Sequence, residues 1–180
     1  VLDQQLRAVV HAQGDDAALG PARVRVIRLG GASQHRDATV PVLGQLERGR
    51  IDFEEYVTSV EPLWRSAGYQ SFPMPPRSDD LLSGLSQIPE MIEAARAVRG
   101  AGYRTAILTN NIKEWGAWRT LWDADNLVDV VIDSCEVGLR KPNRQIFELT
   151  IEQLGTPIER TLFLDDFPWN IAGAEAVGLQ

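Results

Sequence analysis

The chain has 180 residues, of which 44% are hydrophobic and 24% charged, a composition typical of a globular protein with one domain and room for a small accessory lobe. Its net charge of −7 disfavours a nucleic-acid-binding surface, because such a surface needs basic side chains to neutralise phosphates. One cysteine excludes an internal disulfide and a cysteine metal cluster, and with no apolar run of membrane-spanning length and no visible signal peptide we predict a cytoplasmic protein without membrane partners.

The first 80 residues predict a helical lobe with irregular connections. One short helix is predicted from Asp3 to Val10 and another from Ala22 to Leu29. The second assignment stays open, because Val24, Val26 and Ile27 are β-branched and would also suit a strand.

The clearest helix of this lobe begins near Asp52. Asp52 and Glu55 form an Asp-x-x-Glu start signal, a variant of the capping box. Apolar side chains then follow on one face at helical spacing: Phe53, Tyr56, Val57, Val60 and Trp64. This pattern predicts an amphipathic helix that packs on its neighbours. The Pro-rich stretch from Ser71 to Asp80 predicts a linker, so we divide the chain into a helical lobe (1–80) and a second domain (81–180).

The second domain alternates helices with short apolar strands. Strands are predicted at 104–108, 128–132 and 161–164, and helices from Pro89 to about residue 100, at 143–154 and at 170–177. A further helix would carry Trp115, Trp118 and Trp122 on one side. Such a stripe is usually core packing, although it could also be an exposed interface. The alternation predicts an α/β fold with a parallel sheet and right-handed crossovers.

The last predicted strand runs directly into two acids. Leu162 to Leu164 predict a strand buried on both faces, followed by Asp165 and Asp166. A divalent cation would stabilise two adjacent carboxylates, because a hard ion takes oxygen ligands. The alternative is that the acids cap the helix that follows Pro168, since Asp is favoured there. This stretch alone favours neither explanation.

Polar residues also follow the strand predicted at 104–108 and lie in the loop beyond the strand predicted at 128–132. The carboxyl ends of parallel strands meet at one edge of a sheet. Thr109, Asn110, Lys141, Asp165 and Asp166 would therefore lie close together. A hydroxyl and backbone N–H groups can hold phosphate oxygens, a lysine can neutralise charge, and carboxylates can hold Mg²⁺. Singly, Thr109 could be a helix cap and Lys141 a surface lysine. Together they favour a phosphoryl site with a metal.

Three segments resemble motifs II, III and IV of the haloacid dehalogenase-like (HAD) hydrolases. They are Ile107-Leu108-Thr109-Asn110, the run Ser-Cys-Glu-Val-Gly-Leu-Arg-Lys-Pro at 134–142, and the run Phe-Leu-Asp-Asp-Phe-Pro-Trp-Asn at 163–170. The resemblance covers the chain from about Ile88 onward. It is strongest to the branch that contains the N-terminal phosphatase domain of soluble epoxide hydrolase and bacterial sugar-phosphate phosphatases. The first half resembles, more weakly, the helical cap of that family.

The resemblance implies a Rossmann-like parallel sheet with a helical cap lobe, and a role for each matching residue. Thr109 and Asn110 would bind the phosphoryl group, and Lys141 would neutralise it together with the nucleophile. Asp166 would be the Mg²⁺ ligand, and Asp165 would orient the lysine and the metal shell.

The sequence departs from the family pattern in three places. Asn170 stands where many members have an acid, and would support the metal shell. No apolar strand ending in the nucleophile motif, Asp-x-Asp or Asp-x-x-Gly, precedes the predicted cap: Asp3 and the Asp15-Asp16 pair both lack the strand. Val1-Leu2 resembles the tail of that segment, so we expect the first strand to be absent from the HAD-like core, by truncation rather than true loss. Gly178-Leu179-Gln180 stands where the family normally adds another strand, so we expect that C-terminal strand to be absent as well.

The leading functional prediction is a Mg²⁺-dependent phosphatase that acts on a small phosphorylated metabolite. Without its nucleophile strand, the chain alone is expected to be inactive. One alternative is a catalytically inactive HAD-like domain used for binding or assembly. A weaker alternative is a haloacid dehalogenase, which a metal-binding Asp166 would disfavour because that chemistry does not need Mg²⁺.

Overall fold

The computed structural model describes residues 8–11, 40–68, 70 and 87–180. Its strands are β1 (Ala8–His11), β2 (Thr105–Thr109), β3 (Val130–Asp133) and β4 (Thr161–Phe163). Its helices are α1 (Val40–Leu46), α2 (Phe53–Ser66), α3 (Pro89–Gly100), α4 (Trp118–Leu121), α5 (Ala124–Leu127), α6 (Ser134–Val137), α7 (Arg144–Leu154) and α8 (Pro168–Glu175). Two 3₁₀ helices span Lys113–Trp115 and Ile158–Arg160. The predicted α/β class is confirmed.

The strands form one sheet in the order β3-β2-β1-β4. β2 and β3 are parallel, with Thr109 opposite Asp133. β1 is antiparallel to both β2 and β4, so β4 runs in the same direction as β2. The described sheet is therefore mixed, but the carboxyl ends of β2, β3 and β4 still lie along one edge.

β1 corrects the helix predicted from Asp3 to Val10, since Ala8, Val9 and Val10 are strand residues. Val9 and Val10 are β-branched and suit a strand. Pairing also satisfies the backbone N–H and C=O groups of β2 and β4, which are costly to bury without partners. The helix predicted at 22–29 and the linker predicted at 71–80 lie outside the described residues.

Helices cover both faces of the sheet. Successive side chains of β2 alternate between two cores: Ile107 packs with residues of α1, α2 and α3, whereas Ala106 and Leu108 pack with α7 and α8. β4 differs from its prediction, because Leu162 is 37% exposed between the buried Thr161 and Phe163. β4 is the last strand of the described sheet, and only one of its faces is buried there.

The predicted start of α2 is confirmed. Asp52 Oδ1 accepts a hydrogen bond from Glu55 N at 2.8 Å, and Glu55 Oε2 accepts one from Asp52 N at 3.0 Å, which completes a capping box. Tyr56, Val57 and Val60 are buried, as the helical spacing predicted.

The predicted tryptophan helix is broken into the first 3₁₀ helix and α4, with Gly116 between them. Trp115 and Trp118 are buried, and Trp122 meets Trp118 edge-on at a centroid distance of 5.9 Å. The stripe is therefore core packing, and the exposed-interface alternative was wrong. Among the described helices none is long and apolar enough to span a bilayer.

We expect Asp52→Ala to lower the free energy of unfolding by about 1 kcal/mol, because it removes the N-cap acceptor of α2. Urea denaturation measures this loss. Glu54→Ala is the matched control, since it removes an exposed acid from the same helical turn without touching the cap. Equal losses in the two variants would show that charge near the helix start matters, and not the capping bond.

The Asp129 carboxylate joins the start of β2 to the segment before β3. Its Oδ2 accepts hydrogen bonds from Thr105 N at 2.8 Å and Thr105 Oγ1 at 3.1 Å, and Arg99 Nε lies 3.3 Å from Oδ1. Burial raises the pKa of Asp129, but the bonds from Thr105 and the charges of Arg99 and Arg104 outweigh burial and hold the pKa below its usual value.

This lowered pKa predicts a pH dependence of stability. Because the folded pKa of Asp129 lies below its unfolded value of about 3.9, its stabilisation is present above that pH and is lost as the pH falls through the folded pKa. Asp129→Asn should therefore reduce the acid-side slope of a plot of Tm against pH, measured by circular dichroism. An acid-side slope as steep as in the unchanged protein would contradict the prediction.

Candidate active site at the carboxyl edge of the sheet

The predicted site residues lie on loops that leave the carboxyl edge of the sheet. Thr109 and Asn110 are half-buried at the end of β2, and Lys141 lies in the loop between α6 and α7. Asp165 is buried and Asp166 exposed just after β4. Among these residues, Asn110, Lys141 and Asp165 are brought into direct contact by hydrogen bonds.

Lys141 is 2% exposed, and its ammonium group is held by two acceptors. Nζ donates to Asp165 Oδ2 and to Leu108 O, each at 2.8 Å. Removing two charges from water is costly, and a buried ion pair persists only where geometry and additional hydrogen bonds compensate. The surface-lysine alternative for Lys141 is therefore wrong.

Asp165 accepts further hydrogen bonds from the start of α8. Its Oδ1 accepts from Phe167 N at 2.8 Å and from Asn170 Nδ2 at 3.0 Å. Asp165 thus contacts the residues that begin α8 and also pairs with the ammonium group of Lys141, but the N-cap residue of α8 is Phe167. A negative charge near a helix N-terminus is itself favourable.

Asn110 fixes the backbone of Lys141. Asn110 Oδ1 accepts from Lys141 N at 2.8 Å, and Asn110 Nδ2 donates to Lys141 O at 3.1 Å. Both polar groups of one side chain therefore bond to one residue of the neighbouring loop, just before the cis peptide bond between Lys141 and Pro142. The loop after β2 and the Lys141 loop are joined at this point.

The residues predicted to surround Mg²⁺ offer few ligands. In the described part of the chain, no group of three or more His, Cys, Asp or Glu could hold a metal. Asp166 offers one exposed carboxylate, and the buried Asn170 Oδ1 has no hydrogen-bond partner among the described residues. Since Mg²⁺ keeps several waters and needs only one or two carboxylates beside phosphate oxygens, this oxygen donor set fits Mg²⁺ but does not form a protein cage.

Sequence reasoning missed a buried carboxylate at the end of β3. Asp133 Oδ2 accepts from Asn111 Nδ2 at 2.7 Å and from Trp118 Nε1 at 3.1 Å, and its Oδ1 accepts from Cys135 N at 3.2 Å. Ser134 Oγ accepts from Asn111 N at 2.8 Å. These bonds join the loops after β2 and β3. The sequence contained a signal for Asp133, because an acid follows an apolar strand here as it does at Asp165.

The Cys135 thiol is buried beside Asp133, with Sγ 3.1 Å from Asp133 Oδ1. Burial, followed by the hydrogen bond and negative charge of Asp133, raises the pKa of the Cys135 thiol far above its ordinary value. The raised pKa keeps the thiol protonated near neutral pH, which disfavours thiolate chemistry.

Known proteins share this architecture. A model of the haloacid dehalogenase-like hydrolase family matches residues 49–178. A solved structure of a predicted HAD-like family hydrolase from Porphyromonas gingivalis is 30% identical, with a TM-score of 0.56, and the match covers 77% of this chain and 69% of that one.

Three of the similar proteins carry the names of enzymes with different activities. Bifunctional epoxide hydrolase 2 of Mus musculus is 27% identical over 147 residues, which cover 75% of this chain and 26% of the relative. A phosphatase of Mycobacterium tuberculosis is 30% identical over 103 residues, covering 56% and 48%. (S)-2-Haloacid dehalogenase 1 of a Pseudomonas species is 30% identical over 107 residues, covering 56% and 45%.

The chain spans about a quarter of the length of the mouse relative and less than half of each of the other two. The family match, by contrast, extends from α2 through the Lys141 loop to the end of α8. The chain belongs to the haloacid dehalogenase-like hydrolases.

Proposed function

We propose that this chain is part of a Mg²⁺-dependent phosphatase that hydrolyses a small phosphate monoester. The observation that carries the proposal is the buried pair of Lys141 and Asp165 at the carboxyl edge of the sheet, where Lys141 also bonds to the carbonyl of Leu108, the residue before Thr109. A cation in such a dry site interacts more strongly with a bound anion than the same cation in water. The similarity to a bacterial phosphatase supports the same assignment.

Each of the residues at the candidate site has a defined part in this proposal. The hydroxyl of Thr109 donates to a phosphoryl oxygen, and Lys141 offsets the charge that develops on the phosphoryl group. Asp165 acts through Lys141, because its carboxylate fixes the position of the ammonium group. Asn110 acts through the same residue, by holding its backbone. Both are therefore positioning residues.

The metal would be held by Asp166, with the amide oxygen of Asn170 in support. When bound, Mg²⁺ supplies positive charge to phosphate oxygens and orients them for displacement. Asp166 suits this role because its carboxylate is exposed and within reach of an ion from solvent, whereas Asp165 is buried and holds the ammonium group of Lys141.

The nucleophile must come from outside the described residues. β1 lies between β2 and β4 but runs antiparallel to them, so it begins at the edge where they end. Its sequence is Ala-Val-Val-His and contains no carboxylate. A covalent phosphoryl-enzyme mechanism needs an activated nucleophile in that place.

A dehalogenase is the second candidate, favoured by the 30% identity to a haloacid dehalogenase over 107 residues. The two activities share a displacement step but differ in the charge of the reacting group. Only the phosphoryl group requires Mg²⁺ and several donors at once. Metal dependence therefore separates the two candidates.

The test is an assay of protein expressed from the complete gene, with para-nitrophenyl phosphate in the presence of Mg²⁺ or EDTA, and with 2-chloropropionate. We expect phosphate release that depends on Mg²⁺. Lys141→Met should lower kcat/KM about 100-fold or more, because the loss of one donor that stabilises the transition state has an effect of this size. Arg144→Met is the matched control, because Arg144 is exposed near the same loop and pairs with Glu148.

The other outcomes of this assay contradict the phosphatase. Chloride release that EDTA does not inhibit would identify a dehalogenase. No turnover of either compound, with a native polypeptide that begins at Val1, would identify an inactive domain used for binding or assembly.

A stability measurement checks the ion pair itself. Asp165→Asn should lower the free energy of unfolding by about 3 kcal/mol, because it leaves the Lys141 ammonium buried without a counter-charge. Asp166→Asn, the same change one residue later at an exposed position, should cost about 0.5 kcal/mol or less. Urea denaturation of both variants gives the comparison, and similar losses would mean that the Lys141–Asp165 pair contributes no more than a surface charge.

A further inference from the structure

Three arginines gather where α1 meets the Lys141 loop. Arg48 and Arg50 lie in the turn after α1, and Arg140 directly precedes Lys141. We call these three residues the basic cluster. Such a concentration of positive charge is unexpected on a chain whose net charge is −7.

Two of the guanidinium groups converge on Gly44 of α1. Arg48 Nη1 donates to Gly44 O at 2.7 Å. A Cβ atom at Gly44 would lie 3.0 Å from Arg48 Nη1, which is a tight contact, and 3.6 Å from Arg140 Nη1, which is ordinary van der Waals contact. Partial burial, followed by repulsion from Arg140 and Arg50, holds the pKa of Arg48 below its usual value. The like charges therefore lie close enough to destabilise one another.

Glu47 only partly offsets this charge. Its carboxylate forms an ion pair with Arg140, and both side chains are mostly buried. Burial nevertheless raises the pKa of Glu47 and outweighs the attraction of Arg140 and Lys141. The charges of Arg140 and Arg48 both act on the Glu47 carboxylate, so one carboxylate faces two guanidinium groups. The cluster thus keeps an excess of positive charge.

The cluster lies beside the proposed phosphoryl site. Arg140 and Lys141 are consecutive, and their side chains separate: Lys141 reaches Asp165, whereas Arg140 reaches Glu47, the residue that follows α1. Glu47 also lies within electrostatic range of Lys141. A small molecule held at Lys141 could therefore extend from the sheet edge toward α1.

We propose that the basic cluster binds a second anionic group of the substrate, so that the substrate is a phosphate monoester that also carries a carboxylate or a second phosphate. The proposal rests on the proposed function, because Lys141 must hold the first phosphoryl group. Guanidinium groups suit this task, since their planar donors match both carboxylate and phosphate oxygens. Capping of the last α1 carbonyls would explain Arg48 alone, but not its convergence with Arg140.

The experiment compares two phosphonates of equal size, 3-phosphonopropionate and 3-phosphonopropionamide, which differ only in the charge of the distal group. Binding to protein from the complete gene is measured by isothermal titration calorimetry. The carboxylate should bind about tenfold more tightly, the effect of one charge-assisted hydrogen bond on a binding constant. Ethane-1,2-diphosphonate is the third probe, and the tighter of the two charged compounds identifies the second group as carboxylate or phosphate.

Variants assign this preference to the cluster. The double variant Arg48→Gln/Arg50→Gln should remove most of the preference, whereas Arg65→Gln, at the exposed end of α2 and paired with Glu61, should retain it. Glu47→Gln should increase the preference, because it releases Arg140 from its carboxylate partner. A preference that falls in Glu47→Gln would overturn the part assigned to Arg140.

The remaining outcomes separate the two proposals. Equal binding of both phosphonates, weakened by Lys141→Met, would overturn the second-anion site and leave the phosphoryl site intact. Failure of every phosphonate to bind, or binding that Lys141→Met does not weaken, would overturn the proposed function and this inference together.

Discussion

The edge of the sheet depends on one requirement, that a lysine ammonium removed from water must keep its counter-charge and its acceptors. Lys141 meets this requirement with Asp165 Oδ2 and Leu108 O, which lie after β4 and within β2. One side chain therefore links three segments that are far apart in sequence. Asp165 is fixed in turn by the first turn of α8, so the position of the charge is set by the sheet and a helix and not by the flexible stem of the lysine.

Much of this arrangement could be predicted because parallel strands end at a common edge. Apolar runs that stop at Thr109 and Asp165 indicate strand ends from the sequence alone. The Asp-x-x-Glu pattern at Asp52 indicates the start of a helix from only four residues. The site residues Asn110, Lys141 and Asp165 meet for this reason. Their roles in chemistry remain proposals.

The features that were missed depend on long-range contacts. Ala8–His11 is too short for its periodicity to distinguish helix from strand, and its pairing with β2 and β4 decides the matter. The ion pair of Glu47 with Arg140 joins residues almost a hundred positions apart, and no local pattern indicates it. Asp133 differs, because its place after β3 was visible, but only the structure shows its bonds to Asn111 and Trp118.

The contact between Asn110 and Lys141 has a consequence for what can occupy position 110. A carboxamide is chemically a peptide group, and its donor and acceptor here bond to the N–H and C=O of one residue, as facing residues do in an antiparallel ladder. The side chain thus adds one rung to the sheet beyond the last residue of β2. Aspartate has the same shape but would place an acceptor against the carbonyl of Lys141, and serine has one oxygen where two groups are needed. Of the residues this size, only asparagine can extend the sheet to the lysine.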